Sequence, residues 1–321
     1  MLKLVQNELI KIFKRKNIYI LLVIGILIVT CYNLFQYLIN TKVDISKQYQ
    51  RAYNSDKMLL ENYNKIQTNE SYKEIEERIS LEKYAIENNI KYNILLNSQN
   101  NNNAKLPMDA KILLMKVFNN FDIIIIFIIV YLSSTILSEE FNNGTIKNLL
   151  TKPNNRTKIL LSKILVSIFV MILTIIIIVI YQYLLGGLLF GFDSYELEVI
   201  RYNNITQLIE KVNLIKYMMI IVVSKTPMYI LLLMISLLFG VITNNIALNI
   251  LISLSLYITS TINSLINNIT QYLLVYNWDI SKYLYNSNKL INQSIIIDCI
   301  SVLLILFLLI ISFKRKDIKN I

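Results

Sequence analysis

The sequence predicts an all-α polytopic membrane protein with six transmembrane helices. Hydrophobic residues make up 55% of the 321 residues, charged residues only 17%, and the mean hydropathy is +0.51. This composition is too apolar for an ordinary soluble domain. Long apolar runs alternate with short polar segments, and Lys and Arg cluster at the ends of the runs. Because cytoplasmic loops carry an excess of these residues, we expect a multi-pass protein of the bacterial plasma membrane with both termini in the cytoplasm.

The same composition limits the chemistry of the chain. A net charge of +11 would suggest a nucleic-acid partner in a soluble protein, but membrane topology accounts for basic residues placed beside apolar runs, so none is expected. The chain has no histidine, and its two cysteines, Cys31 and Cys299, lie in apolar runs. It also lacks a G-x-x-x-x-G-K-[ST] loop, so any ATP and Mg²⁺ must be bound by another chain. We expect no catalytic residue, metal or cofactor here, and no enzymatic activity.

Residues 1–17 are predicted to form an amphipathic helix on the inner membrane surface. Apolar residues recur at three-four-three spacing, and the basic residues between them can meet anionic lipid headgroups. The apolar set is Leu2, Val5, Leu9 and Ile12, and the basic set is Lys3, Lys11, Lys14, Arg15 and Lys16. The first span, 18–39, is about long enough to cross a ~30 Å hydrocarbon core.

Residues 40–110 form the long hydrophilic segment of the chain. Acidic residues are interleaved with lysines, and apolar residues from Tyr72 to Ile90 have loosely helical spacing. We predict one or two exposed helices, an Asn-rich stretch at 97–103 and a break at Pro107. With the N-terminus inside, this helical loop is extracytoplasmic. It is either a lid or partner-binding element, or a solvated spacer.

The remaining spans follow the other apolar runs. Asp122 is expected near the outer end of the second span in contact with water, and Lys225 near the outer interface, where its side chain can snorkel. Gly186 and Gly187 are expected to bend the third helix out of the membrane, and Pro227 to kink the fourth. The predicted boundaries are 119–138, 159–185, 220–243, 246–268 and 294–313.

The fifth span is unusually polar on one side. Its polar residues recur at four-seven-four-three offsets and therefore share one helical face. Such a face either lines a translocation path or hydrogen-bonds to neighbouring helices. The residues are Asn249, Ser253, Ser260, Ser264 and Asn267.

A short basic loop, 139–158, separates the second and third spans. The helical pattern breaks after Phe141, Thr145 can cap a new turn, and Pro153 ends it. Between them lies a short amphipathic segment with Ile146, Leu149 and Leu150 at helical spacing. From physical properties alone, this is either an ordinary cytoplasmic loop or an element that docks on a cytoplasmic partner.

The sequence from Glu139 to Lys163 favours docking. It reads E-E-F-x-x-G-T-I-K-x-L-L-x-x-P-x-x-R-x-x-I-L-L-S-K and resembles the second-to-third helix loop of ABC-2 type transporter permeases. In that family the loop forms a coupling helix that docks on an ATP-binding subunit. The resemblance implies that residues 1–321 form one ABC-2 transmembrane domain of type V exporter-like architecture. It also implies roles for Glu140 at the end of the second helix, Gly144, Thr145 and Ile146 at the start of the coupling helix, and Leu149 and Leu150 facing the ATPase.

The resemblance implies a permease subunit that forms an export path powered by separate ATPase subunits. The expected partners are two ATP-binding subunits, a second permease protomer that is identical or related, and the lipid bilayer. One alternative is an ion-coupled secondary transporter, which would need deep paired ionisable residues, whereas Asp122 and Asp298 lie near the outer ends of their spans. Another is a membrane scaffold or sensor that uses residues 40–110.

Overall fold

The fold is known from a computed structural model, which describes most of the chain with gaps. The described residues are 1–39, 50, 53–58, 61, 72–88, 110, 113–114, 117–118, 121–146, 155–192, 198–203, 208–263, 278–283 and 288–316. The Asn-rich stretch at 97–103, Pro107, Leu149, Leu150, Pro153, Ser264 and Asn267 lie outside these ranges.

The described chain is mainly helical, with one β-hairpin and one 3₁₀ turn. In order, the elements are α1 (Leu2–Phe13), α2 (Lys16–Ile39), α3 (Tyr72–Glu87), α4 (Asp122–Asn142), α5 (Arg156–Phe190), β1 (Glu198–Asn203), β2 (Leu208–Asn213), α6 (Leu214–Thr243), α7 (Ile246–Asn263), the 3₁₀ turn (Ile280–Tyr283) and α8 (Asn288–Arg315).

Five described helices, α2, α4, α5, α6 and α8, are long and apolar enough to cross a membrane. α7 is also apolar but shorter. Its 18 residues extend about 27 Å, slightly less than a ~30 Å hydrocarbon core. The structure therefore confirms a helical multi-pass membrane protein.

Successive apolar helices run in opposite directions. Glu8 of α1 contacts Lys163 near the start of α5, and Lys11 of α1 contacts Glu140 near the end of α4. Lys316, just after α8, donates to the carbonyl oxygen of Val241 near the end of α6. These contacts gather α1, the α4–α5 connection and the end of α8 at one end of the bundle. We call this the basic end.

The core of the bundle forms around α4 and α6. These two helices pack along each other, and α6 also contacts α5, α7 and α8. Most of the residues in α4 and α6 are buried, whereas α2 and α8 are mainly exposed and apolar. Leu303 and Phe307 of α8 are 67% and 63% exposed. Exposed apolar faces of this kind are the surfaces that a bilayer covers.

Gly186 of α5 permits close packing, and the helix is continuous through Gly186 and Gly187. α5 continues to Phe190 and ends at Gly191, whose φ of 95° lies in the left-handed region. A Cβ at Gly186 would lie 3.1 Å from the Cα of Ala110 and from Leu113. The missing side chain at Gly186 therefore lets the neighbouring segment approach the helix closely.

A β-hairpin joins α5 to α6 and was not expected. β1 and β2 pair antiparallel from Glu198 opposite Asn213 to Asn203 opposite Leu208. β1 also contacts α3, in which Ile75 and Ala85 are buried. α3 therefore lies in the region predicted to be helical, but it is packed and not fully solvated.

α6 and α7 are joined by Asn244 and Asn245 alone. Asn244 has a φ of 52°, a left-handed conformation that asparagine adopts more readily than most residues. The Asn245 side-chain oxygen accepts a hydrogen bond from the backbone N–H of Ala247 at 2.9 Å, as an N-cap residue does. The sequence predicts this tight connection.

Candidate functional site

The chain leaves α4 at the glycine of the loop motif. The Asn143 N–H donates to the Glu139 carbonyl at 2.8 Å, and Gly144 follows with a φ of 64°. This is the left-handed C-terminal cap that glycine provides without strain. Ile146 is helical again, and the turn at Gly144 separates it from α4.

Four charged side chains form what we call the α1–α5 ion cluster: Glu8, Lys11, Glu140 and Lys163. Lys163 Nζ lies 2.8 Å from Glu140 Oε2 and 2.9 Å from Glu8 Oε2, while Lys11 also pairs with Glu140. Lys163 is 0% exposed and Glu140 1%. Two cations balance two anions, which is the condition under which charges can be buried. The cluster therefore fixes α1, α4 and α5 to one another at the base of the loop.

The first acidic residue of the motif, Glu139, binds the junction between α1 and α2. Arg15 lies 3.0 Å from Glu139 and donates to the Thr135 carbonyl at 3.3 Å. We had assigned every basic residue of α1 to lipid headgroups. For Lys11 and Arg15 this is wrong, because Glu140 and Glu139 lie within reach and a paired carboxylate stabilises a partly buried cation.

Ile146 is part of the core. It is 0% exposed, so its side chain anchors the start of the helical segment and offers no surface to a partner. The Thr145 hydroxyl donates to the Glu140 carbonyl at 3.5 Å, which is a long contact. Leu149 and Leu150, which would carry the docking surface, lie outside the described residues.

The end of α8 contacts the same junction. Lys316 Nζ donates to the carbonyl oxygens of Val241 and Ile242 and lies 5.4 Å from the centre of the Phe141 ring. A cation is favourable beside the final carbonyls of a helix, which carry partial negative charge. Partial burial lowers the pKa of Lys316. Phe141 also packs edge-to-face on Phe313.

The polar face of α7 is hydrogen-bonded to neighbouring helices where the structure describes it. The Asn249 amide donates to the Ser236 carbonyl at 2.8 Å and to Ser138 Oγ at 3.3 Å, and Ser253 Oγ lies 3.4 Å from Asn249 Oδ1. Asn249 and Ser253 are both 0% exposed. Of the two alternatives for this face, this geometry corresponds to interhelical hydrogen bonding. The Ser260 side chain, Ser264 and Asn267 are outside the described parts.

A second group of charges, which we call the Asp122 cluster, lies at the end of the bundle opposite the basic end. Lys225 Nζ contacts Asp122 Oδ2 at 2.8 Å, the Phe118 carbonyl at 3.0 Å and Asp279 Oδ2 at 3.5 Å. The Tyr229 hydroxyl donates to the other oxygen of Asp122. The expectation that Asp122 contacts water and Lys225 snorkels is wrong, since they are only 6% and 4% exposed. These three acceptors can use all three N–H donors of the Lys225 ammonium group, which reduces the cost of burying its charge.

Asp298 is buried beside this cluster and has no hydrogen-bond partner among the described residues. It is 2% exposed, and neither carboxylate oxygen has a partner within the described residues. It shares the buried face of α8 with Ser294 and Ser301. The nearby charge that acts on it is Asp279, another acid. An unpaired buried carboxylate carries a large desolvation cost.

α2 and α5 are joined by a reciprocal amide pair. Asn33 donates to Gln182 at 2.8 Å and Gln182 donates back at 3.2 Å. Both side chains are 0% exposed. Because α2 is otherwise largely apolar and exposed, this pair fixes its rotation against α5. Sequence patterns did not single out either residue.

Comparisons with known proteins give one match. No curated protein and no solved structure matches the chain. The model of the family described as "Protein of unknown function (DUF2705)" matches residues 84–319. The matched region contains α4 to α8, and with them the motif loop, Lys163 and the whole Asp122 cluster. Because this match covers most of the sequence, the chain belongs to the DUF2705 family.

Proposed function

We propose that this chain is the permease subunit of an ATP-binding cassette transporter. It forms a transmembrane path for export, and separate ATPase subunits bind ATP and Mg²⁺ and perform the hydrolysis. Two permease protomers, identical or related, sit on two ATPase subunits. The motif from Glu139 to Lys163 and the arrangement of the apolar helices support this assignment.

The basic end faces the cytoplasm in this proposal. Both described termini and the α4–α5 connection lie there, together with exposed cations such as Lys14, Lys158 and Lys314. An excess of Lys and Arg at one end is what the positive-inside rule expects of the cytoplasmic side. α7 is counted as the sixth span, since it starts at the basic end directly after α6 and is apolar.

The α1–α5 ion cluster is the observation that carries the proposal. Glu140 precedes the loop and Lys163 follows it, and their ion pair closes the base of the loop. A displaced loop therefore moves α4 and α5 together, because separating the pair would leave buried charges unpaired. Glu8 extends the same connection to α1.

The proposed mechanism follows from the Glu140–Lys163 ion pair, which joins the two ends of the loop. Closure of the ATPases on ATP displaces the helical segment that starts at Ile146. The buried Ile146 side chain and the Glu140–Lys163 pair pass the displacement to α4 and α5. Rigid-body motion of these helices then alternates access to the path between protomers.

The test is co-purification with a P-loop ATPase encoded beside this chain in the genome. Leu149→Asp with Leu150→Asp should leave the amount of membrane-inserted permease unchanged and abolish ATPase binding, because charges would enter an apolar docking surface. Asn154→Asp with Asn155→Asp is the matched control, since it adds the same two charges to the same loop and aspartate is a good N-cap for α5. Retention of a fully coupled ATPase by the leucine variant contradicts the docking role.

The Asp122 cluster supports a second candidate, ion-coupled secondary transport. It contains the buried, paired ionisable residues that such a transporter needs. However, Asp122 is the first residue of α4, whose 21 residues extend about 30 Å to the basic end, so the cluster is at one end of that helix and not at the midplane where coupling sites lie. A scaffold or sensor that uses α3 is the third candidate. Transport driven by an ion gradient without any ATPase partner would favour the second over the first.

A further inference from the structure

Negative charge exceeds positive charge at the end of the bundle opposite the basic end. Three carboxylates of described residues lie together there, those of Asp122, Asp279 and Asp298. Lys225 pairs with two of them, Asp122 at 2.8 Å and Asp279 at 3.5 Å. The α1–α5 ion cluster, in contrast, holds two cations with two anions. Within the described parts of the chain, the Asp122 cluster and Asp298 therefore lack balancing positive charge.

The imbalance is greatest at Asp298. Its side chain is 2% exposed, and neither carboxylate oxygen has a hydrogen-bond partner among the residues that the structure describes. The charge that acts on it is that of Asp279, which repels it. Burying a lone carboxylate costs much more than burying a paired one. A cation taken up from solution would offset both the desolvation and the repulsion.

The helix around Asp298 offers further oxygen atoms. Ser294 precedes Asp298 by four residues and Ser301 follows it by three, so all three share one face of α8. Both serines are 1% exposed. The Ser301 hydroxyl donates its hydrogen to the Asp298 carbonyl at 2.7 Å, which leaves its lone pairs free to accept. Hard cations take oxygen ligands, carboxylates above all, so this face has the donor chemistry of a cation site.

Trp278, the residue before Asp279, also has an unsatisfied polar group. Its side chain is 1% exposed, and its indole N–H has no acceptor among the described residues. Buried polar groups without a partner are rare, and ordered water commonly supplies the missing hydrogen bond. A cation that keeps part of its hydration shell brings water to this end of the bundle.

Asp298 lies close to water at this end of the bundle. It is five residues after the start of the apolar segment Gln293–Arg315, or about 7 Å along the helix, and about 26 Å from Arg315. Asp279 lies before the 3₁₀ turn that contacts α8, and its side chain is 13% exposed. A cation therefore reaches Asp298 past Asp279 without crossing the apolar core.

The number of acidic ligands indicates the charge of the cation. The described residues contain no group of three or more His, Cys, Asp or Glu that could hold a metal ion. Asp279 already accepts a hydrogen bond from the Ser281 N–H at 3.1 Å and contacts Lys225. Ca²⁺ typically takes about 6–8 oxygen ligands, whereas a single free carboxylate matches one positive charge. The site therefore suits a monovalent cation.

We propose that Asp298, together with Asp279, forms a binding site for a monovalent inorganic cation such as sodium at the end of the bundle opposite the basic end. Asp298 supplies the charged ligand, and the partly exposed Asp279 attracts the cation from water. Because the bound cation neutralises the repulsion between the two acids, it stabilises the contacts of α8 with the 3₁₀ turn and α6. This inference goes beyond the proposed transport function and does not depend on it.

The experiment uses the full chain in detergent at about pH 8, where an ordinary carboxyl group is ionised. The chloride salt is that of sodium, potassium or the bulky cation N-methylglucamine, at constant total concentration so that screening is equal. The midpoint of thermal unfolding reports stability, and broadening of the sodium NMR line reports binding without unfolding. Asp298→Asn removes the charged ligand. Glu76→Gln is the matched control, since it makes the same acid-to-amide change at an exposed position of α3.

We expect sodium or potassium to raise the midpoint of the unmodified chain and of Glu76→Gln along a saturating curve. At about ten times the dissociation constant, the ratio of folded to unfolded protein should rise about tenfold. Asp298→Asn should be more stable than the unmodified chain in N-methylglucamine, should gain nothing from either cation and should not broaden the sodium line. Asp298→Ala, which removes the carboxylate without adding an amide, replaces it if Asp298→Asn does not fold.

Equal midpoints of the unmodified chain in all three salts overturn the proposal. A response to sodium or potassium that Asp298→Asn retains in full also overturns it, because the cation then binds elsewhere. So does a midpoint that rises only on acidification, since a proton then neutralises Asp298 and no metal cation is bound.

Discussion

Lys163 of α5 is paired with Glu8 of α1 at 2.9 Å, although 155 residues separate them in the sequence. Lys163 has no exposed surface, so its charge depends on this partner and on Glu140. The pair ties the N-terminal helix, which lies outside the region matched by the DUF2705 model, to the part of the chain that the family defines.

Replacing Lys163 should be the most damaging single change at the basic end. Lys163→Met leaves Glu8 and Glu140 buried with less compensation, for which we expect a loss of about 3–5 kcal/mol in the free energy of unfolding. Reversible unfolding in detergent measures this loss. Lys158→Met, at an exposed position five residues before Lys163, should change stability by less than about 0.5 kcal/mol. Similar losses in the two variants would show that the buried pairing is not what stabilises this end.

In the Asp122 cluster, the double variant should be more stable than one of its single variants. Lys225→Met alone leaves Asp122 buried and unpaired, at a cost of about 3–5 kcal/mol. Adding Asp122→Asn removes that charge, and the Tyr229 hydroxyl can still donate to the amide oxygen. A double-mutant cycle in detergent should therefore give a coupling energy between the two residues of at least about 1 kcal/mol. Additive losses would mean that the two side chains do not interact in the membrane-embedded protein.

Asn249 should contribute to helix association. Asn249→Ala removes hydrogen bonds to Ser236 and Ser138, and such bonds in membrane proteins are worth about 0.6 kcal/mol each. We expect a stability loss of roughly 1 kcal/mol and less folded protein after extraction. Ser255→Ala is the control on the same helix, because Ser255 is exposed and donates only to the Ile252 carbonyl one turn before it. If Asn249→Ala changes transport while stability is unaffected, the residue lines the path instead.

Replacing Asp298 should stabilise the protein. Its carboxylate is buried with no hydrogen-bond partner among the described residues, so Asp298→Asn removes the desolvation cost of a charge. A gain of about 1–3 kcal/mol is expected, measured as a higher midpoint of thermal unfolding. Asp279→Asn should lower the midpoint, since Asp279 accepts a hydrogen bond from the Ser281 N–H at 3.1 Å and contacts Lys225. A loss of stability in Asp298→Asn would indicate that the carboxylate has a partner outside the described residues.

The topology can be tested by labelling in intact cells. In a background with Cys31→Ser and Cys299→Ser, Asn154→Cys and Lys319→Cys should resist an impermeant thiol reagent, and Asn100→Cys should react. The basis is the concentration of Lys and Arg at the basic end. Permeabilised cells show that the protected cysteines are intrinsically reactive. Labelling of Asn154→Cys from outside would invert the orientation.

The sequence predicted what depends on local patterns. Apolar runs located the long helices and the short Asn244–Asn245 connection between two of them, and the end of α4 near Gly144 followed from turn chemistry. The hairpin was missed, although Val199, Ile200 and Tyr202 favour a strand, because the segment was judged by its charges.

Contacts between distant residues could not be predicted. The sequence shows that Lys11, Arg15 and Lys163 are basic, but not which acids they meet, because the pairing is decided by how the helices pack. The same holds for Asn33 and Gln182, separated by 149 residues. The close contact at Gly186 could not be predicted for a related reason, since it depends on the neighbouring residues Ala110 and Leu113.

The uninterrupted length of α5 has a mechanical consequence. Its 35 residues extend about 52 Å, more than the ~30 Å hydrocarbon core, and no proline or glycine-induced break divides them. A stiff rod of this length preserves angle, so a tilt of about 10° at the Lys163 end would carry Gly186 sideways by roughly 6 Å over the 23 residues between them. If α5 moves as one rigid helix, a displacement at the basic end therefore reaches the opposite end of the bundle through a single element.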